Sequence, residues 1–415
     1  MTELKPVLRI VHVSDLHLID REFCIPRNTE VLISHLRGLD KSISNGILSK
    51  LLKNKNSVND LIKDLECGLT GHAPEAMKHV SDIFSDLGKD SEWDKRKTWL
   101  IDTGDISSFG DDKSLSTGKY FLDSLAKKLG ENVPVCSIHG NHDAWPETHP
   151  LSSNPEDIAR HRKNLRDNHY DKNFPFRGLS TNVDGTDSKI SVHCLNSVLH
   201  EKIPNGLARG EIAHDKWWEQ EGSPNTGEQI RLLQDLVATD GSNRDLRILL
   251  SHHPILQPEP DKYEVFMYLI NRKEVAQNLQ MIPGHPNIGP LGHLILSGHT
   301  HRVFPVLDEC DYSRFSTQTE PTSKNNIYQL VIGSLLKKHP NKQLSETYAS
   351  KENLFAERCP HTFQVLRIYL NEENRFIMKR NVAVRNGGVG PFLFYTHNQN
   401  PNLSLKFNTS PVKYK

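Results

Sequence analysis

The chain has no apolar run approaching the roughly 18 residues that suggest a membrane-spanning helix. Its first residues, Met-Thr-Glu-Leu-Lys-Pro, run straight into a strand-like VLRIVHV, which leaves no room for a secretory signal. Charge bias is absent: 51 Lys and Arg offset 51 Asp and Glu, so the formal net charge is zero. At whole-chain level that excludes both a strongly basic nucleic-acid footprint and an acidic tail. Cysteine is sparse. The six (Cys24, Cys67, Cys136, Cys194, Cys310, Cys359) are scattered with no CxxC, which points to reduced thiols in a cytoplasmic protein rather than a disulfide framework. Hydrophobic residues make up only 36%, compatible with a globular chain carrying polar insertions. There is no internal repeat and no low-complexity block. Histidine, by contrast, is abundant, at 22 of 415 residues. That length accommodates two or three domains of about 150 residues, or one large α/β domain with insertions.

Apolar, β-branched runs set the frame. The first expected strand is Val7–Val13. A polar interval, Asp20–Thr98, follows with three helix-like patterns. The first has Leu32, Leu36, Leu39, Ile43 and Ile47 at helical spacing after Asn28 and Thr29, and the second runs from a Ser57 cap to Leu65. The third has a face of Met77, Val80, Phe84 and Leu87 between Pro74 and a stop at Gly88. A β/α rhythm then predicts strands at Trp99–Thr103, Val133–Ile138, Ile190–Asn196, Leu246–Leu250, His293–Leu296 and Ile327–Ile332, with helices at Gly118–Leu129, Glu228–Val237 and Val265–Leu279. Phe363–Leu370 and Arg375–Val384, joined through Asn-Glu-Glu-Asn, read as a hairpin. The expected division is a domain over residues 1–384, containing a helical insertion over 21–98, and a C-terminal extended arm over 385–415 with one last strand around Leu403, Leu405 and Phe407.

Five of the apolar runs end alike. They lead into Ser14-Asp15-Leu16-His17, Gly104-Asp105, His139-Gly140-Asn141-His142-Asp143, Ser251-His252-His253-Pro254 and Ser297-Gly298-His299-Thr300-His301. In a sheet of parallel strands the carboxyl ends share one edge, where ligands bind, so five distant groups would meet in one crevice. Asp15 and His17, like His299 and His301, are two apart, and extended backbone would aim both members of each pair to one side. Gly104, Gly140 and Gly298 would permit the sharp turns. Mixed oxygen and imidazole donors suit Mn, Fe, Zn or Co. Seven donors exceed one ordinary ion and suit two ions sharing a carboxylate.

DLH, GD, GNHD, HHP and GHTH, in that order, resemble the calcineurin-like metallophosphoesterase superfamily over about residues 7–384. The resemblance implies an α/β fold, a four-layer α/β/β/α sandwich of two mixed sheets, here with a helical insertion. It implies two divalent or trivalent ions, one held by Asp15, His17 and His301, the other by Asn141, His252 and His299, with Asp105 bridging. A metal-bridged hydroxide would attack phosphorus, and His142 would protonate the leaving oxygen with Asp143 orienting its ring. Gly333-Ser334 resembles the family's closing segment. The variant GDISSFG–GNHD–HHP–GHTH is most similar to class III cyclic-nucleotide and small phosphodiesterases. It lacks the extension of protein phosphatases, and Ser108 stands where purple acid phosphatases place a Tyr ligand.

The remaining histidines have plainer readings: His253 as a supporting or core residue, His12 and His139 as structural. Lys337, Lys338, His339 and Lys342 read as a solvated loop, Trp217 and Trp218 as core. The expected function is metal-dependent hydrolysis of a nucleotide or cyclic-nucleotide phosphodiester in the cytoplasm, without membrane attachment. The alternatives are a nuclease acting on DNA or RNA, and a metal-bearing subunit whose 21–98 insertion docks a protein partner or a second copy.

Overall fold

In the computed structural model the described residues are 4–18, 74–93, 97–108, 110–144, 174–198, 228–256, 271–280, 288–301, 327–336, 361–385, 392–396, 405–407 and 409–411, with isolated positions such as 72, 165, 169, 210–212, 269, 303, 307–308 and 413. In chain order the elements are β1 (Lys5–Val13), α1 (Pro74–Gly88), β2 (Thr98–Asp102), α2 (Asp112–Leu129), β3 (Val135–Ser137), β4 (Phe176–Asn182), β5 (Lys189–Cys194), α3 (Glu228–Asp240), β6 (Leu246–Leu250), α4 (Arg272–Leu279), β7 (Leu294–Ser297), β8 (Leu307–Asp308), β9 (Tyr328–Val331), β10 (Thr362–Leu370), β11 (Phe376–Arg385), β12 (Phe392–Thr396) and β13 (Leu405–Lys406).

Among the described residues the strands form two mixed sheets. One runs β12-β11-β10-β1-β2-β3, with β13 also on β11, and the other runs β4-β5-β6-β7-β9-β8. β1, β2 and β3 are mutually parallel, as are β5, β6, β7 and β9. The expected hairpin is the antiparallel β10–β11 pair.

Alternation along the strands builds the layers. Leu8, Ile10, Trp99 and Ile101 face Ile190, Val192, Leu246, Ile248 and Leu250 in the core between the sheets. Val11, Val13 and Leu100 point the other way, against Val80, Phe84 and Leu87 of α1 and Phe121, Leu122 and Leu125 of α2. Leu249, Ile295 and Val331 meet Ile230, Leu233 and Val237 of α3 and Val275 and Leu279 of α4. Both faces of each sheet are thus covered, which is why β1, β2 and β6 read as continuous apolar runs. The order is helices, sheet, sheet, helices: the expected four-layer α/β/β/α sandwich.

Several boundaries differ from expectation. α2 begins six residues early because the Asp111 side chain accepts a hydrogen bond from Ser114 N and caps it. Of the helix expected over Val265–Leu279, α4 covers Arg272–Leu279, and residues 265–268 and 270 lie outside the described residues. β4 (FRGLSTN), β8 and β12 were not anticipated. β4 has no apolar alternation, and β12 and β13 lie in the segment expected to be an arm. The first two helices expected in the insertion fall outside the described residues. The third is α1, whose Gly88 lies against the backbone of Lys128 and Leu129 at the far end of α2.

Candidate metal centre

Beyond Val13 and Asp102 the backbones of the first two strands continue side by side. Asp15 N donates to Gly104 O at 2.9 Å, His17 N to Asp105 O at 2.9 Å and Leu18 N to Ile106 O at 2.8 Å. The chain here is not extended. Asp15, His17, Asp105, His299 and His301 have φ of 55°, 49°, 55°, 69° and 53°. A left-handed conformation costs a residue with a Cβ roughly 1–2 kcal/mol, and five of the seven expected ligands adopt it. The paired side chains therefore converge through left-handed turns past the strand ends, not through the two-residue repeat of a strand. Gly104 turns at φ +103° as expected. Gly140 and Gly298 serve a different need, close approach: a Cβ on Gly140 would collide with the Asp105 carboxylate, and one on Gly298 with Ser14 Oγ.

The structure brings all seven expected ligands together, each at most 5% exposed. In one group Asp15 Oδ1 lies 3.2 Å from His301 Nε2, and His17 Nε2 lies 3.1 Å from His301 Nε2. In the other His252 Nε2 lies 3.0 Å from Asn141 Oδ1, 3.2 Å from His299 Nδ1 and 3.3 Å from Asp105 Oδ2. Asp105 Oδ2 also stands 3.9 Å from His17 Nε2, between the two groups.

The chemistry of the second group calls for a cation. His252 Nδ1 lies 2.8 Å from Thr103 O. A carbonyl only accepts, so Nδ1 carries the proton and Nε2 of the neutral ring is a lone pair. That lone pair faces an amide oxygen, a carboxylate and a third ring. Buried acceptors aimed at one another are unfavourable unless a positive charge joins them. The titration of His252 shows the same demand. Burial disfavours its charged form, yet Asp105, through charge and hydrogen bond, and Asp15 push it up to about 9. Burial likewise raises Asp15, to about 7, with His252 opposing and Asp105 adding to the rise. Asp105 goes the other way: burial is outweighed by His252, His142 and His17, which hold its carboxyl well below the usual range. Three sets of three, Asp15/His17/His301, Asp105/His252/His299 and His17/Asp105/His142, have ligand atoms close enough to hold an ion.

His142 is the one site residue of the nine that is not fully buried. Its Nδ1 lies 3.0 Å from Ser108 O, which fixes the proton there. Its ring stands edge-on to His17 at 4.5 Å, and its backbone N donates to Asp105 Oδ1 at 2.9 Å. Asp143 accepts from Ser107 N (2.8 Å), Ser107 Oγ (3.0 Å), Gly140 N (3.0 Å) and Ile106 N (3.3 Å). It ties the loop after β2 to the loop after β3, while Ser108 O holds the His142 ring. Burial first, then Asp105, raise its carboxyl to about 6.

Sequence reasoning missed the holders. Thr103 O fixes His252, Ser108 O fixes His142, and Ser334 Oγ donates to Asp15 O at 2.7 Å. Backbone acceptors leave no mark on residue type. Only Ser334 carried a signal, through its Gly-Ser segment. His253 supports the site, its Nδ1 2.9 Å from Ser197 Oγ and its ring 4.1 Å from that of His299.

The calcineurin-like phosphoesterase family model matches residues 8–303. No curated protein matches the sequence. Among solved structures, one described as a novel phosphatase from Mycoplasma pneumoniae is similar over 98% of this chain and 95% of that chain, at 8% identity and a TM-score of 0.28, too loose a likeness to carry an argument. No helix among the described residues is long and apolar enough to cross a membrane. The family match covers well over half of the 415 residues and includes the ends of all five ligand-bearing strands, so the chain belongs to the calcineurin-like phosphoesterase family, metal-dependent hydrolases of phosphoesters.

Proposed function

We propose that this chain hydrolyses phosphodiesters, with a nucleotide or cyclic nucleotide as substrate, at a pair of transition-metal ions such as Mn, Fe or Zn. The carrying observation is the position of Asp105 Oδ2, 3.3 Å from His252 Nε2 and 3.9 Å from His17 Nε2: one carboxylate oxygen serves both donor groups. On this reading Asp15, His17 and His301 hold one ion, Asn141, His252 and His299 the other. Bound there, the ions supply Lewis acidity and neutralise charge developing at phosphorus. The protein's own part is orientation and proton transfer. The Thr103 and Ser108 carbonyls fix the His252 and His142 tautomers. His142 Nε2, on the one partly exposed side chain, meets the leaving oxygen and protonates it.

The diester preference is supported by Ser108. Its hydroxyl donates to the backbone carbonyl of His17 at 2.9 Å and its own carbonyl takes the His142 ring, so this position braces the His17 backbone and one ring instead of contributing a phenolate ligand. The test is one panel with Mn²⁺: an aryl monoester, an aryl diester, cyclic nucleotides, and single- and double-stranded DNA and RNA. The aryl diester should show the higher kcat/KM of the aryl pair, and a cyclic nucleotide should be turned over. A monoester cleaved clearly faster under the same loading overturns the diester reading, and efficient cleavage of polymers alone makes the chain a nuclease.

A further inference from the structure

We propose that Cys136 and Cys194 are a peroxide-oxidisable pair that closes a disulfide between the two sheets. Cys136 is the middle residue of β3, an edge strand of the first sheet. Cys194 ends β5 in the second. Their Sγ atoms lie 3.6 Å apart inside the inter-sheet core, the residues 5% and 0% exposed. A disulfide measures about 2.05 Å between sulfurs, so closure needs about 1.5 Å. Antibody domains likewise join their two facing sheets by a disulfide.

A second observation points to the same place. β4, the edge neighbour of β5, loses its register between Arg177 and Ser180, and Gly178 sits in that irregularity directly over the two thiols. A Cβ there would collide with Cys136 Sγ and come within 3.2 Å of Cys194 Sγ. The missing side chain is what leaves both sulfurs room to meet. β3 and β4 are also the sandwich's border, where strands carry fewer partners and shift more readily than in the middle. β4 is half-exposed along most of its length, which gives a small oxidant a short path.

The chemistry balances with a hydroperoxide as oxidant. The sulfur of Cys136, which holds the residual exposure, gives up its proton to the departing peroxide oxygen and attacks the other. An S–O bond forms, the O–O bond breaks, and with hydrogen peroxide one water leaves. The sulfur of Cys194 then gives up its proton and attacks the Cys136 sulfenic acid. The S–S bond forms, S–O breaks, and a second water leaves. Two thiols lose two electrons and the peroxide gains them.

The bond would tie together strands that feed the crevice. β3 runs on to Asn141 and His142, and β5 to Ser197, whose hydroxyl holds His253 against His299. The proposal does not depend on the phosphoesterase reading. Its test treats the full chain, folded, with hydrogen peroxide, quenches, unfolds it in N-ethylmaleimide, and maps peptides without reduction. A linked Cys136–Cys194 peptide, two hydrogens lighter than the sum of its parts, is expected. It should be absent when the chain is unfolded before oxidation and in both Cys136→Ser and Cys194→Ser. Recovery of both residues as maleimide adducts, or of Cys136 as a sulfinic acid with Cys194 still a thiol, overturns it. The wild-type experiment decides alone if either variant fails to fold.

Discussion

Two histidines hang from the two sides of Thr103, equally buried and with their pKa values driven in opposite directions. His12 Nε2 lies 3.0 Å from the Thr103 hydroxyl, and His252 Nδ1 lies 2.8 Å from its carbonyl. Both residues are 0% exposed. Around His12 every group meets its complement. Arg380 Nε donates to Gln364 Oε1 at 2.7 Å, Gln364 Nε2 donates to His12 Nδ1, and His12 Nε2–H is left for the hydroxyl. The ring has no use for a second proton, and burial with the Arg380 charge drives it down to about 3. Around His252 acceptor meets acceptor, and the ring is driven up to about 9. A satisfied polar cluster is architecture. One whose lone pairs point at each other is a place for a cation. Burial alone does not separate the two, since it acts alike on both.

The sharpest way to break that contrast is to remove the carboxylate that creates it. Asp105→Asn should abolish turnover and lower bound metal, counted by elemental analysis, below two per chain. In the metal-free protein His252 should titrate lower, because Asp105 is the largest influence raising it. A variant that stays fully loaded and active would remove the bridging role. His142→Ala comes next. It should keep both metals and lose about 10²–10⁴-fold in kcat, with a smaller loss for a nitrophenolate leaving group, which needs no proton. Equal losses for good and poor leaving groups would argue against proton donation.

The His12 side of the comparison predicts a pH effect. Its folded pKa is about 3, against about 6.5 in the unfolded chain. Between those values the unfolded chain binds a proton that the folded chain does not, so stability rises with pH across the window and falls on acidification. Above it His12 contributes no slope. The slope per group is up to about 1.4 kcal/mol per pH unit. His12→Asn should flatten urea-unfolding stability against pH by about that much between roughly pH 4 and 6. His193, also depressed to about 3 by burial and then by Arg177 and Arg247, keeps part of the acid slope in place. An unchanged slope would mean His12 is not held neutral.

The same contrast explains what could be read from the sequence. Four of the five ligand groups were legible because they follow strands buried on both faces, which announce themselves as apolar runs ended by a small residue, while the edge strand β3 was legible from the His-Gly-Asn-His-Asp that follows its apolar run. The layering followed from those runs and from the faces of α1, α2 and α3. What did not show was everything decided by tertiary register. The spacing of Asp15 and His17 suggested extended backbone, but the neighbouring loop after β2 bonds them into left-handed turns. Gly140 and Gly298 looked like turn residues, and only the assembled site shows that neighbouring atoms fill the space of a Cβ. β4 hid because an edge strand beside a bulge needs no apolar alternation. Thr103 carried no sign that its carbonyl and its hydroxyl serve different clusters.

That division of labour gives the smallest and most selective prediction. Thr103→Val keeps the side chain's shape and β-branching and keeps the carbonyl that holds His252 Nδ1. It removes only the hydroxyl that meets His12 Nε2. A buried ring N–H then lacks its acceptor, at a cost of about 1–3 kcal/mol. The backbone at Thr103 is fixed independently, since its N donates to Val13 O at 3.1 Å, so the His252 ring should stay oriented. The expected result is a lower urea midpoint at unchanged slope, with two metals per chain and the wild-type preference between aryl esters. Should metal content fall along with stability, the two clusters would be coupled through Thr103, and the line between architecture and site would have to be drawn further out, at Gln364 or Arg380. A variant as stable as the wild type would mean that the His12 ring finds another acceptor.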